Sequence, residues 1–60
     1  MQVHIINSGT GEDNGFKDLV VHSLKLDHND APYAIVEHPF RNFDSCRAEF
    51  KGNEWVVDFD

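Results

Sequence analysis

The sequence predicts an α+β fold: a small antiparallel or mixed four-stranded sheet, at about 2–7, 33–38, 46–51 and 54–59, covered by one helix at about 15–27. Three observations lead there. Residues 46–59 alternate apolar and polar side chains about a central Gly52-Asn53 pair. Two earlier segments, 2–7 and 33–38, are short, apolar and flanked by turn residues. Between those two, the apolar residues of 16–26 recur at a spacing closer to 3.6 than to 2.

The first element, QVHIIN (2–7), is β-branched and reads as a strand. SGTGEDNG (8–15) follows, with three glycines, and reads as a loop. In FKDLVVHSLKLD (16–27), Phe16, Leu19, Val20, Leu24 and Leu26 fall within about 160° of a helical wheel. Lys17, Asp18, Val21, His22 and Lys25 take the other side. Asp13 or Asn14 suits the N-cap, Lys25 and His28 suit the negative end of the dipole, and Asn29 and Pro32 stop the helix. Val-Val, His and Ser are mediocre helix formers. The alternative is therefore an all-β, five-stranded small barrel with 17–27 as a strand. PYAIVEH (32–38) is apolar on both faces at its centre and suits an inner strand. PFRNFDS (39–45) is a loop carrying two aromatic residues.

A two-residue turn at Gly52-Asn53, with glycine supplying positive φ, pairs Lys51 with Glu54, Phe50 with Trp55 and Glu49 with Val56. Further along, Arg47 faces Asp58 and Cys46 faces Phe59. One face then carries Cys46, Ala48, Phe50, Trp55, Val57 and Phe59. The other carries Arg47, Glu49, Lys51, Glu54, Val56 and Asp58. A slip of one residue puts charges into the core, so the register is strongly set. The apolar face needs a cover, which the 15–27 helix supplies.

Sixty residues make one domain, 1–60, burying roughly 60% of the surface the unfolded chain exposes. The single cysteine forms no internal disulfide and suits a reducing compartment. No segment has the roughly 18 apolar residues of a membrane span, and MQVHIIN lacks the basic start of a signal peptide. A cytoplasmic protein without membrane contact is expected. Eleven acids against five Lys and Arg give a net charge of −6. That disfavours direct contact with nucleic acid, whose phosphates need basic side chains.

No constellation points to catalysis. His4, His22, His28, His38 and Cys46 lack the tight spacings of zinc ligands. DHND (27–30) lacks the glycine and distal Glu of a calcium loop. SGTGEDNG lacks a G-K-[ST] and carries acids that repel an anion. Neither metal nor cofactor is implied, and the chain is read as no enzyme. The expected function is a small acidic protein-binding module that modulates or inhibits a larger protein through that protein's basic surface patch. Contact residues are expected at Glu49, Glu54, Val56 and Asp58 on the outer hairpin face, with Val56 as an exposed apolar group, and at the loop residues Phe40, Arg41 and Phe43. Two alternatives are a self-associating subunit, an edge-strand homodimer through QVHIIN, and a nucleic-acid mimic.

Overall fold

Six strands form one mixed sheet: β1 (Gln2–Asn7), β2 (Glu12–Asp18), β3 (Val21–Leu26), β4 (Pro32–Glu37), β5 (Ser45–Lys51) and β6 (Glu54–Asp58). The computed structural model describes all residues, 1–60. The spatial order is β2-β1-β6-β5-β4-β3. The β1–β6 pair is parallel and every other pair is antiparallel. The strands at the two ends of the order, β2 and β3, are joined by only Leu19 and Val20. The sheet must therefore curl until its ends meet at that corner. Two backbone bonds fix the junction there, from Leu19 N–H to the Met1 carbonyl and from Glu37 N–H to the Val20 carbonyl.

The α+β expectation is wrong: the chain is all-β and 15–27 contains no helix. The all-β alternative is nearer in class, but its single strand over 17–27 is broken in two and the count is six rather than five. The reason is a change of phase. Phe16 lies opposite His4 on the outer face of the sheet. Leu19 and Val21 turn inward, and Val21 lies opposite the buried Val36. A bulge between Val21 and Ser23 then shifts the alternation by one residue. As a result Leu24 lies opposite Ala34 and Leu26 opposite Pro32, again on the inner face. The stripe that suggests a helix therefore mixes faces: Leu19, Leu24 and Leu26 lie on the inner side, Phe16 lies on the outer side, and Val21, off the stripe, also points inward.

Next to the turn the hairpin has the expected register, Glu49 to Val56, Phe50 to Trp55 and Lys51 to Glu54, but the ladder stops there and does not include the expected Arg47–Asp58 and Cys46–Phe59 pairs. Gly52 and Asn53 both have positive φ, 57° and 64°. That is the mirror-image turn whose twist matches the flanking strands. The turn from β3 to β4 is held by Asp27, whose carboxylate accepts the N–H groups of Asn29 (2.8 Å) and Ala31 (3.0 Å).

The inner face carries the core of Val3, Ile5, Leu19, Ala34, Val36, Ala48 and Val57. The end of the core nearest the β4–β5 loop is plugged by rings. His38, Phe40 and Phe59 lie 5.2–6.2 Å apart between centroids, with Lys17 Nζ 4.3 Å above the Phe40 ring. The hairpin end has no plug. There Leu24, Leu26 and Phe50 are 64%, 63% and 45% exposed on the inner face, and Trp55 is half-buried. The cover predicted for these side chains is absent, because the residues meant to supply it are themselves part of the sheet.

Ile5→Ala is expected to destabilise by about 2–5 kcal/mol. Set against the roughly 0.05–0.15 kcal/mol per residue of ordinary domains, about 3–9 kcal/mol for a chain of this length, that is on the order of half the total stability. Leu26→Ala, at an exposed inner position, is expected to cost under about 0.5 kcal/mol. Urea denaturation of the two variants checks the contrast.

Candidate functional site

The outer face of β5 and β6 brings Glu49, Val56 and Asp58 along one shallow depression of about 200 Å³, bordered by Arg47 and Lys51. Val56 is not the exposed apolar residue that was expected. It is buried, 8% exposed, because β6 is an inner strand with His4 of β1 on one side and Glu49 of β5 on the other. The acids around it are already engaged. Glu49 lies 3.2 Å from Arg47 Nε and 3.3 Å from Lys51 Nζ. Arg47 also stacks on Tyr33, 3.9 Å from the ring centroid. The Asp58 carboxylate accepts N–H bonds from Ser8 (3.1 Å) and Asp60 (2.9 Å). Those bonds, Ser8 first, hold its pKa below the usual carboxylate value.

Glu54 belongs to a second arrangement that the sequence concealed. Its carboxylate lies 2.8 Å from His4 Nδ1, while Asp13 lies 2.8 Å from His4 Nε2. Phe16 stacks on the imidazole with centroids 4.5 Å apart. An imidazole with a carboxylate on each nitrogen donates both bonds only as the cation. The His4 pKa is raised accordingly, by the bond to Glu54 first and that to Asp13 second. The Asp13 pKa is lowered by the Gly15 N–H and then by His4. His4 thus ties β1 to its two neighbours, β2 and β6. The three partners lie 9 and 50 positions apart in sequence, so no local motif betrays them.

Phe40, Arg41 and Phe43 lie in the β4–β5 loop, at the opposite end of the strands from the hairpin turn. The loop is closed by the His38 N–H to Asp44 carbonyl bond (3.0 Å). His38 Nδ1 accepts the N–H groups of Phe40 and Arg41, both at 3.1 Å. The three residues do not act alike. Phe40, though 56% exposed, leans on Phe59 as part of the ring plug. Arg41 lies 3.9 Å from Asp44 and stays exposed. Phe43 is fully exposed and has φ of 61°. A left-handed backbone at a bulky residue is a real outlier, costing about 1–2 kcal/mol. Beside it an open groove of about 670 Å³ runs over the outer face, lined among others by His22, Ile35, Glu37, His38 and Asp44.

Cys46 is half-buried, and its thiol lies 3.8 Å from the Glu37 carbonyl. Burial, and then the nearby Asp44, push its pKa up, which favours the inert thiol over the thiolate. No group of three or more His, Cys, Asp or Glu side chains is placed to hold a metal ion. No helix is long and apolar enough to cross a membrane. No protein-family model matches the chain, and neither a curated protein nor a solved structure matches it.

The His4 clamp makes stability depend on pH with a definite sign. The raised folded-state pKa of His4 gives stability that is full below about pH 6.5, the unfolded value. It is lost as pH rises through the raised value. The lowered Asp13 and Asp58 give stability present above about pH 3.9, lost as pH falls through their folded values. The melting temperature is expected to be highest between about pH 4 and 6.5 and to decline on both sides. His4→Gln is expected to lower the plateau and remove the decline on the alkaline side. Thermal melts of both proteins from pH 3 to 9 check this.

Proposed function

We propose that the chain is a small, non-catalytic protein-binding module that modulates or inhibits a larger protein, and that the β4–β5 loop makes the contact. One observation carries the reading: Phe43 is wholly exposed and held in a left-handed backbone conformation that glycine or asparagine would occupy at lower cost. Strain of that kind concentrates at binding and catalytic positions. An aromatic side chain beside an arginine is a common interface anchor. The closed loop limits the conformational entropy that binding has to remove.

The partner chemistry follows from charge. The chain carries −6 overall, and the groove beside Phe43 includes Glu37 and Asp44. A basic patch on the larger protein suits both. The contact is assigned to the loop for its exposed Phe43. The outer hairpin face has no exposed apolar anchor, since Val56 is buried. Its acids Glu49, Glu54 and Asp58 have partners within the chain, as Glu37 and Asp44 do. For the same reason these carboxylates make a poor imitation of a row of phosphates. An unpaired thiol agrees with a cytoplasmic setting.

Phe43→Asn separates the cost of the anchor from its use, since asparagine tolerates the left-handed region. The variant is expected to be more stable by about 0.5–1 kcal/mol, measured by thermal and urea melts. It is also expected to lose partners that the natural chain retains on an affinity column of native-host lysate. Equal retention of the same proteins by both would count against the loop as the contact.

A further inference from the structure

We infer that the chain has a second interaction surface at the hairpin end: the free edge of β3 accepts an extended strand of the pattern apolar–acidic–apolar from another protein. This goes beyond the loop contact and does not rest on it.

The sheet has two free edges, and they differ. β2 carries Glu12, Asp13, Lys17 and Asp18 among seven residues, the kind of charge that keeps an edge from pairing. β3, VHSLKL, carries one charge, Lys25. The backbone of β3 is poised outward at two positions. Asp27 N–H bonds to the Ala31 carbonyl (3.0 Å). In an antiparallel ladder, bonded pairs alternate, so the next bonded pair is Lys25 with Tyr33. Leu24 with Ala34 and Leu26 with Pro32 are then the pairs without ladder bonds. Proline, lacking an N–H, fits that placement. The N–H and carbonyl groups of Leu24 and Leu26 therefore face away from β4, toward solvent. The bulge at Val21–Ser23 limits further pairing, so the docking strand is short.

The side chains define the sequence such a strand needs. Leu24 and Leu26 point to the inner face, where they join Pro32 and Trp55 around an open, mostly apolar cleft of about 340 Å³ that Lys25 also borders. Residues of an added strand opposite Leu24 and Leu26 fall on that same face and extend over the cleft. The residue between them falls on the outer face opposite Lys25. Lys25 has no carboxylate within 4 Å, unlike Arg41, Arg47 and Lys51. An acidic residue there completes a cross-strand ion pair. The same feature argues against a second copy of this chain: an antiparallel β3–β3 pair using these four backbone groups sets Lys25 against Lys25 of the other copy, a destabilising opposition.

The test uses the whole chain and a synthetic probe, an acetylated seven-residue peptide amide with Leu-Glu-Leu at its centre between threonines. Trp55 is the only tryptophan and lines the cleft, so its fluorescence reports occupancy. Saturable change with the Glu peptide, and binding weaker by about fivefold when that Glu is replaced by Lys, is expected. Lys25→Glu should invert the preference, and Leu24→Lys should weaken both peptides. Both sites are exposed, so the fold is kept, which circular dichroism checks. Methylating the peptide amides that face β3 should abolish binding. The Phe43→Asn variant should bind the probe like the natural chain, which separates this surface from the loop. No fluorescence change up to millimolar peptide overturns the inference. So does indifference to the central charge, or retained binding after amide methylation. A concentration-dependent dimer in sedimentation that Leu24→Lys dissolves would assign the edge to a second copy instead.

Discussion

The position of β6 between β1 and β5 is the constraint on which the rest of the structure depends. It joins two halves, β2-β1 and β5-β4-β3, whose other links are the chain junction at Leu19 and Val20 and the contact of Lys17 with Pro39 and Phe40. Val3 lies beside Trp55 and Ile5 beside Val57, in a parallel pair separated by some fifty positions of chain. Closing such a loop costs about 3.5 kcal/mol from its length dependence. Burying Val3, Ile5 and Val57 contributes roughly 1.5–3 kcal/mol for each side chain, so the three together exceed that cost. The inner position of β6 also buries Val56 on the other face. One topological choice thus sets the core and removes an apolar group from the surface.

The polar face is organised around the same strand. His4 spans from β6 to β2 through Glu54 and Asp13, and Glu49 collects Arg47 and Lys51. Most exposed pairs of this kind contribute under about 1 kcal/mol each. Their effect here is more on availability than on strength. A chain with net charge −6 keeps few unengaged carboxylates on its hairpin face. What it does leave unengaged sits at the two ends of the strands: an aromatic loop at one, an apolar mouth and a bare strand edge at the other.

The hairpin was legible because its period and its turn agree. Alternation from Cys46 to Phe59, broken only by Val56, and two adjacent turn residues set the register beside the turn. The strand at 2–7 and that at 32–37 were legible from composition, but their neighbours were not. Alternation reports which face a residue takes and says nothing of which strand lies beside it. The homodimer alternative needs QVHIIN at an edge, whereas β1 lies between β2 and β6, so that alternative does not hold for this strand. Residues 12–26 misled for a different reason. A corner at Leu19–Val20 and a bulge after Val21 each interrupt the two-residue period, and Phe16 owes its position to stacking on His4 rather than to the core. Of the candidate site, the sequence identified the loop aromatics but not their division of labour, since only backbone conformation distinguishes Phe40 in the plug from Phe43 in solvent.

The largest side chain fully withdrawn from water is Ile5, and not one aromatic ring is buried. Rings ornament the rim of this sheet and leave its interior to branched aliphatics and alanine. Unfolding a body of this size absorbs an enthalpy near 0.7 kcal/mol per residue, which spreads the thermal transition over about 20 °C. With little apolar surface to rehydrate, the heat-capacity step is modest and the stability curve is shallow. The molecule therefore melts over a broad range of temperature.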